Sequence, residues 1–141
     1  MDRLATEYTA RAIIIQGSAL LVCQGVGENL CHLPGGHLDA GESPEYALRR
    51  EIQEEIGGTV TGMTAVGTLE TEWYRGGKLD TKPVRERMHL YRVNALFPPI
   101  EGVAYRGEDH LRARWILLSD LMKEHLMPRE VIPYIWNTGG R

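Results

Sequence analysis

The amino-acid sequence predicts an α/β protein in which a mixed β-sheet lies between helices. Three observations carry this expectation. A β-rich N-terminal stretch leads into one well-capped helix, Ser43 to Gly57, and a second β-rich stretch leads into two C-terminal helical segments. No repeat, low-complexity segment or linker interrupts that order. With 141 residues, 43% of them hydrophobic, the chain suits a single domain spanning residues 1–141 with a sizeable core.

Tyr8 to Gln16 contains the run Ala12-Ile13-Ile14-Ile15, and Gly17-Ser18 turns it into Ala19-Leu20-Leu21-Val22-Cys23. Two apolar runs joined by a turn predict a hairpin or adjacent strand pair, partly buried on both faces. Gly25 to Asn29 reads as a loop, with a short strand into Leu33. The helix is signalled at both ends: Ser43 caps the first free amides, Pro44 suits the first turn, Glu45 suits its positive end, and Gly57-Gly58 stops it. Thr59 to Trp73 reads as a strand with bends at Gly62 and Gly67, and Val84 to Phe97 as a long strand ended by Pro98-Pro99. Arg75-Gly76-Gly77-Lys78 and Gly102 to Asp109 are polar loops, and Arg112 to Leu117 is strand-like. Ser119 to Leu126 and Pro128 to Trp136 carry cap and N1-proline signals and are expected to be helices.

On the first helix Ala47, Leu48, Ile52 and Ile56 recur at helical spacing and form one apolar stripe, with Glu51, Glu54 and Glu55 beside it. Residues three and four apart are neighbours, so Glu51 faces both Glu54 and Glu55, each pair repelling by about 0.2–0.5 kcal/mol. A hard divalent cation with oxygen ligands would offset that repulsion. Arg50, four residues before Glu54 and eight after Glu42, is placed to pair with a carboxylate and hold the loop against the helix, using a fork that lysine lacks. Taken alone, a glutamate-rich helix face is ordinarily solvated surface charge. Pro34-Gly35-Gly36 changes that reading, because a glycine turn lets backbone groups approach a ligand closely.

The whole spacing is Gly36, five residues, Glu42, seven residues, Arg50-Glu51-Ile52, one residue, Glu54-Glu55, one residue, Gly57. It resembles the signature of the Nudix hydrolases, MutT-like nucleotide pyrophosphohydrolases. The resemblance implies a Nudix fold, an α/β/α sandwich with a mixed sheet and a loop-helix-loop metal site. Two positions depart from the family pattern. Gly58 stands where an aliphatic residue is usual, which is expected to loosen packing after the helix without touching the metal site. Cys31 stands where an aromatic residue is common, so no stacking role is expected there.

The activity implied is Mg²⁺-dependent hydrolysis of a phosphoanhydride in a nucleoside diphosphate linked to another moiety: a nucleoside triphosphate, dinucleoside polyphosphate or nucleotide sugar. Mn²⁺ is the alternative metal. The expected ligands are the Gly35 carbonyl, Glu51, Glu54 and Glu55. Arg50, Glu51 and Glu54 are the catalytic candidates on the helix, and the general base is either Glu51 or Glu108 of Gly107-Glu108-Asp109-His110. Glu108 reads equally well as a solvated turn carboxylate. Candidate substrate contacts are Gly36, His37, Tyr74 and Arg87; strand-end packing of Trp73-Tyr74 and a structural role for His37 are the plainer alternatives. Tyr74 resembles the tyrosine that family members acting on diadenosine polyphosphates carry near this position, and the resemblance hints at that substrate class.

A different class of function is a non-catalytic nucleotide-sensing module on the same fold, against which the intact set Arg50, Glu51, Glu54 and Glu55 argues. The third, an interaction scaffold, would make the carboxylates surface charge only. A net charge of −3 and pI near 5.9 argue against a partner that is a nucleic-acid polymer or a membrane surface, and leave a small nucleotide. Met1 to Ala10 has three charged residues and no apolar run, so neither a secretory signal nor an anchor is expected and the compartment is expected to be cytoplasmic. Cys23 and Cys31 are then expected to be free thiols. Monomer and homodimer both remain open.

Overall fold

The computed structural model describes residues 6–74, 82–98, 104–105 and 108–139, excluding the side chains of residues 73, 104–105, 108–110 and 138–139. The elements run β1 (Thr6–Ile13), β2 (Ile15–Gln16), β3 (Ala19–Gly25), β4 (Cys31–His32), β5 (Gly35–His37), α1 (Pro44–Ile56), β6 (Thr59–Tyr74), β7 (Pro83–Leu96), β8 (Ala104–Tyr105), β9 (Glu108–Leu117) and α2 (Ile132–Gly139). Four strands form a mixed sheet in the order β5-β1-β7-β6, with β1 and β7 parallel and the other pairs antiparallel. An antiparallel sheet in the order β2-β3-β9-β8 carries β4 beside β3.

Alternation along the strands distributes apolar residues between two cores. Ile13, Leu20, Val22, Met88, Leu90 and Ile116 join Ile132 and Ile135 of α2 in one core. Their alternates Ala12, Ile14, Leu21, Cys23, Tyr91, Val93 and Ala113 join Leu48, Ile52 and Ile56 of α1 in the other. Helices therefore cover both faces of the sheet layer, as expected for a mixed-sheet α/β/α architecture.

The expected hairpin forms across Gly17-Ser18, where β2 pairs antiparallel with β3, but the strand before it does not stay in one ladder. β1 ends at Ile13, and the next residues enter the other sheet, where Ile15 pairs with Leu20 and the Leu21 amide donates to the Ile14 carbonyl at 3.0 Å. Ile13 and Ile14 are both buried but belong to opposite cores, so the apolar run has no solvent face to keep it in one ladder. The bends expected in β6 occur as register shifts between Val60 and Gly62 and between Ala65 and Gly67.

The segment Ser119 to Leu126 does not form the expected helix. A 3₁₀ turn spans Leu118–Asp120, the Asp120 carbonyl accepts from the Lys123 and Glu124 amides, and the chain then straightens. His125 and Met127 are diverted to Cys31, whose amide donates to the His125 carbonyl at 3.0 Å and whose carbonyl accepts from the Met127 amide at 2.9 Å. Buried Leu121 and Leu126 anchor both ends of that excursion. Pro128 likewise opens a 3₁₀ turn, Arg129–Val131, before α2 begins at Ile132.

The expectation for Gly58 is also overturned. A Cβ at that position would stand 2.5 Å from the Phe97 ring and 2.9 Å from Ile52 Cγ2, so the ring at the end of β7 occupies the space an aliphatic side chain would need. Phe97 is in turn held edge-on to Trp115, with centroids 6.4 Å apart.

Candidate active site

α1 begins and ends as its sequence prescribes. Ser43 Oγ accepts from the Tyr46 amide at 3.2 Å, and Gly57 takes a left-handed conformation (φ 73°) while the Gly57 and Gly58 amides return to the carbonyls of Gln53 and Ile52. This pairing satisfies the last helical carbonyls. Burial of Ala47, Leu48, Ile52 and Ile56 sets the rotation of the helix, and that rotation turns Glu51 and Glu55 toward β5.

β5 is the edge strand of the mixed sheet. Gly35 has φ 135° and a Cβ there would lie 2.0 Å from the Ala10 carbonyl oxygen, a contact no side chain survives. At Gly36 a Cβ would come within 2.8–3.0 Å of the Glu51 carboxylate. The two glycines thus serve different neighbours, one the β1 backbone and the other a helix carboxylate. Glu55, only 4% exposed, accepts from the Gly35 amide at 3.2 Å.

Arg50 ties these parts together. Its Nε and Nη2 donate to the two oxygens of Glu42 at 2.7 and 2.9 Å, a two-point fork, while Nη1 reaches Glu51 at 3.1 Å and Glu54 at 3.3 Å. Nη2 also approaches the His37 carbonyl at 3.4 Å, and Glu42 Oε1 accepts from the Asp39 amide at 2.6 Å. The arginine bond holds the Glu42 carboxyl below its ordinary range, and the Glu42 bond holds the guanidinium above its own. The loop 37–42 and the helix are therefore one pinned unit.

Arg11 was missed from sequence. Its Nη1 donates to the carbonyls of Gly35 at 2.9 Å and Leu33 at 3.3 Å, beside the His32 ring. Burial and then the Arg11 charge push His32 down to about 4 against the opposing Leu33 hydrogen bond, so the ring is neutral near pH 7 and its Nδ1–H donates to the Leu33 carbonyl at 2.9 Å. The available sign was an arginine between Ala10 and Ala12, directly before the apolar run Ile13-Ile14-Ile15.

The remaining candidates lie at different distances from this unit. His37 follows the glycines and pairs through Nε2 with Glu7. Arg87 is on β7, opposite Tyr8 of β1, and pairs with Glu70 at 3.5 Å. Tyr74 ends β6, on the edge of the sheet away from β5, so the fold does not bring it to the glycine turn. Arg75 lies outside the described residues. Glu108 opens β9 instead of preceding it, and the neighbouring β8 lies against α1. Cys31 is buried in the core near α2, its thiol pushed up by burial, and both cysteines are free.

The donor set is hard: carboxylates and a backbone carbonyl, with Glu42, Glu51 and Glu54 sharing one guanidinium. That chemistry and its negative excess fit a divalent cation of the Mg²⁺ type. Among the described residues no three acidic, histidine or cysteine side chains converge as a metal cage; Glu51 and Glu54 point to Arg50, and Glu55 to the Gly35 amide.

The fold and site thus define an α/β/α protein with a glycine turn apposed to an acidic, arginine-pinned helix. The family model of the NUDIX domain matches residues 6–135, and the chain belongs to that family. A Caenorhabditis elegans protein that bears a nudix hydrolase name is 29% identical over 123 residues, covering 75% of this chain and 34% of its own, so the chain spans about a third of that relative. A Mycobacterium tuberculosis protein that bears the name of an 8-oxo-dGTP diphosphatase is 25% identical over 131 residues, covering 90% of this chain and 84% of its own. The structure of a NUDIX hydrolase from Nitrosomonas europaea superposes with a TM-score of 0.69 at 20% identity, over 97% of this chain and 92% of that one. No helix among the described residues is long and apolar enough to cross a membrane.

Proposed function

We propose that this chain, as a single domain of residues 1–141, is a Mg²⁺-dependent pyrophosphohydrolase that cleaves a phosphoanhydride of a nucleoside triphosphate, with Mn²⁺ as the alternative metal. The observation that carries the reading is the Arg50 fork, which locks the glycine turn and α1 so that Glu51 and Glu55 both face β5. The triphosphate is favoured over dinucleoside polyphosphates and nucleotide sugars by the name of the Mycobacterium tuberculosis relative, whose match extends over most of both chains. Tyr74, the hint toward dinucleoside polyphosphates, stands away from the site.

Glu51, Glu54, Glu55 and the Gly35 carbonyl would hold the metal, which when bound supplies neutralisation of phosphate charge and alignment of water. Gly36 lets β5 lie close to the Glu51 carboxylate, and His37 and Arg87 are the candidate donors to phosphate. Arg50 holds Glu51 and Glu54 in place from the loop side. Glu51 and Glu108 remain the two bases able to take a proton from the attacking water.

The test is phosphorus NMR of product mixtures after incubation with Mg²⁺ and a panel of deoxynucleoside triphosphates, dinucleoside polyphosphates and nucleotide sugars, with Glu54→Gln as control. Triphosphate cleavage that disappears in the variant is expected. An active Glu54→Gln enzyme with unchanged metal dependence would sink the assignment, and nucleotide binding without any cleavage would favour the sensing module.

A further inference from the structure

Arg11 is a half-buried arginine within β1. Both hydrogens of its Nη1 are used, one by the Gly35 carbonyl at 2.9 Å and one by the Leu33 carbonyl at 3.3 Å, with the His32 ring alongside. Its Nε and Nη2 donate to no described residue and retain contact with solvent. Arg50, Arg85, Arg87 and Arg114 each face a carboxylate. Arg11 has only neutral oxygens among its described partners. Carbonyls satisfy the N–H groups of a guanidinium but leave its charge in place, and a partly buried charge is costly until an anion meets it.

The sheet sets where that charge stands. Arg11 is the ladder partner of Gly35. By strand alternation it lies on the face of Ile13, which belongs to the core of α2, whereas Ala10 and Ala12 belong to the core of α1. Gly35 therefore sits between opposite charges: its amide donates to Glu55 at 3.2 Å, and its carbonyl accepts from Arg11. With glycine at both 35 and 36, β5 places no side chain between the guanidinium and the carboxylates of α1. Pinning Nη1 also fixes which edge of the guanidinium is offered. Nε–H and Nη2–H point the same way in one plane, the pair that matches two oxygens of a phosphate.

We propose that Arg11 is a substrate-binding residue whose Nε and Nη2 donate to two oxygens of a phosphate group of the nucleotide, across the glycine turn from the carboxylates of α1. The two carbonyls hold the fork in advance, so little side-chain freedom is lost when phosphate arrives. This role rests on the nucleotide reading above, and because it is exercised in binding it is tested without turnover.

The experiment is calorimetric binding of inorganic tripolyphosphate, which carries a chain of three phosphates and no base, to the wild type, Arg11→Lys and Arg11→Gln in the presence of Mg²⁺. Hydrolysis of deoxynucleoside triphosphates is followed separately. Arg11→Gln is expected to bind about 10–100-fold more weakly than the wild type, and Arg11→Lys to lose less because it keeps the charge without the fork. Should neither variant fold, nitrogen NMR of the wild type carries the test: the Arg11 Nε–H resonance is expected to shift and exchange more slowly when tripolyphosphate is added. Unchanged affinity in folded Arg11→Gln, or an Nε–H resonance that does not respond, would make Arg11 a brace for the glycine turn and overturn the proposal even if triphosphates are hydrolysed. Binding that depends on Arg11 without hydrolysis would uphold it while removing the enzymatic reading.

Discussion

Arg50 shows how one side chain can do several jobs at once. Its fork needs two parallel N–H groups for Glu42 and a third for Glu51 and Glu54, and an ammonium cannot supply that geometry. Arg50→Lys is therefore expected to leave the fold intact and weaken metal dependence about 10–100-fold, read from Mg²⁺ titrations of activity. His32 makes a separate prediction. Its folded value is pushed from 6.5 to about 4, so below pH 6.5 the unfolded chain takes up a proton that the folded ring refuses. Stability should fall as pH drops from 6.5 toward 4 and then become insensitive to this group. Melting temperatures measured across that window should show a shallower decline in His32→Asn than in the wild type; parallel curves would remove the burial argument. Arg50 and the glutamates could be found by spacing, because all lie within one helix and its leading loop. The contacts of Arg11 with Leu33 and Gly35, and of Thr9 with Glu86, could not, since they depend on which strands neighbour one another.

At the scale of elements, α1 was readable to within a residue because its caps and apolar stripe are local. The two C-terminal segments were not. Cap signals at Ser119 compete with a backbone pairing to Cys31, some ninety residues earlier, and the pairing prevails. The end of α1 gives a testable case of the same kind. Gly58→Ile should clash with Phe97 and cost about 1–3 kcal/mol, while in a Phe97→Ala background the same substitution should be neutral or favourable. Urea unfolding of the single and double variants measures the coupling; additive effects would mean that Phe97 does not replace the family's aliphatic side chain.

At the scale of the molecule, two cores joined through one sheet layer connect the site to global stability. Glu51, Glu54 and Glu55 sit on a helix whose buried face belongs to the core shared with β1, β3 and β7. Mg²⁺ bound only by the native state should raise the melting temperature, by about 2.7 kcal/mol of stability at a hundredfold excess over its dissociation constant. The increment should vanish in Glu54→Gln; an equal increment in that variant would place the cation elsewhere.

The sequence by itself determined the alternation of strand-rich and helical stretches, the capped helix and the carboxylate spacing on it, because each depends on residues within a few turns of one another. Only the tertiary structure decided that Ile13 and Ile14 part into different sheets, that Phe97 fills the place beside Gly58, and that Glu86 lies beside Thr9. Those contacts join residues tens of positions apart, and strand order, which no local pattern encodes, selects them.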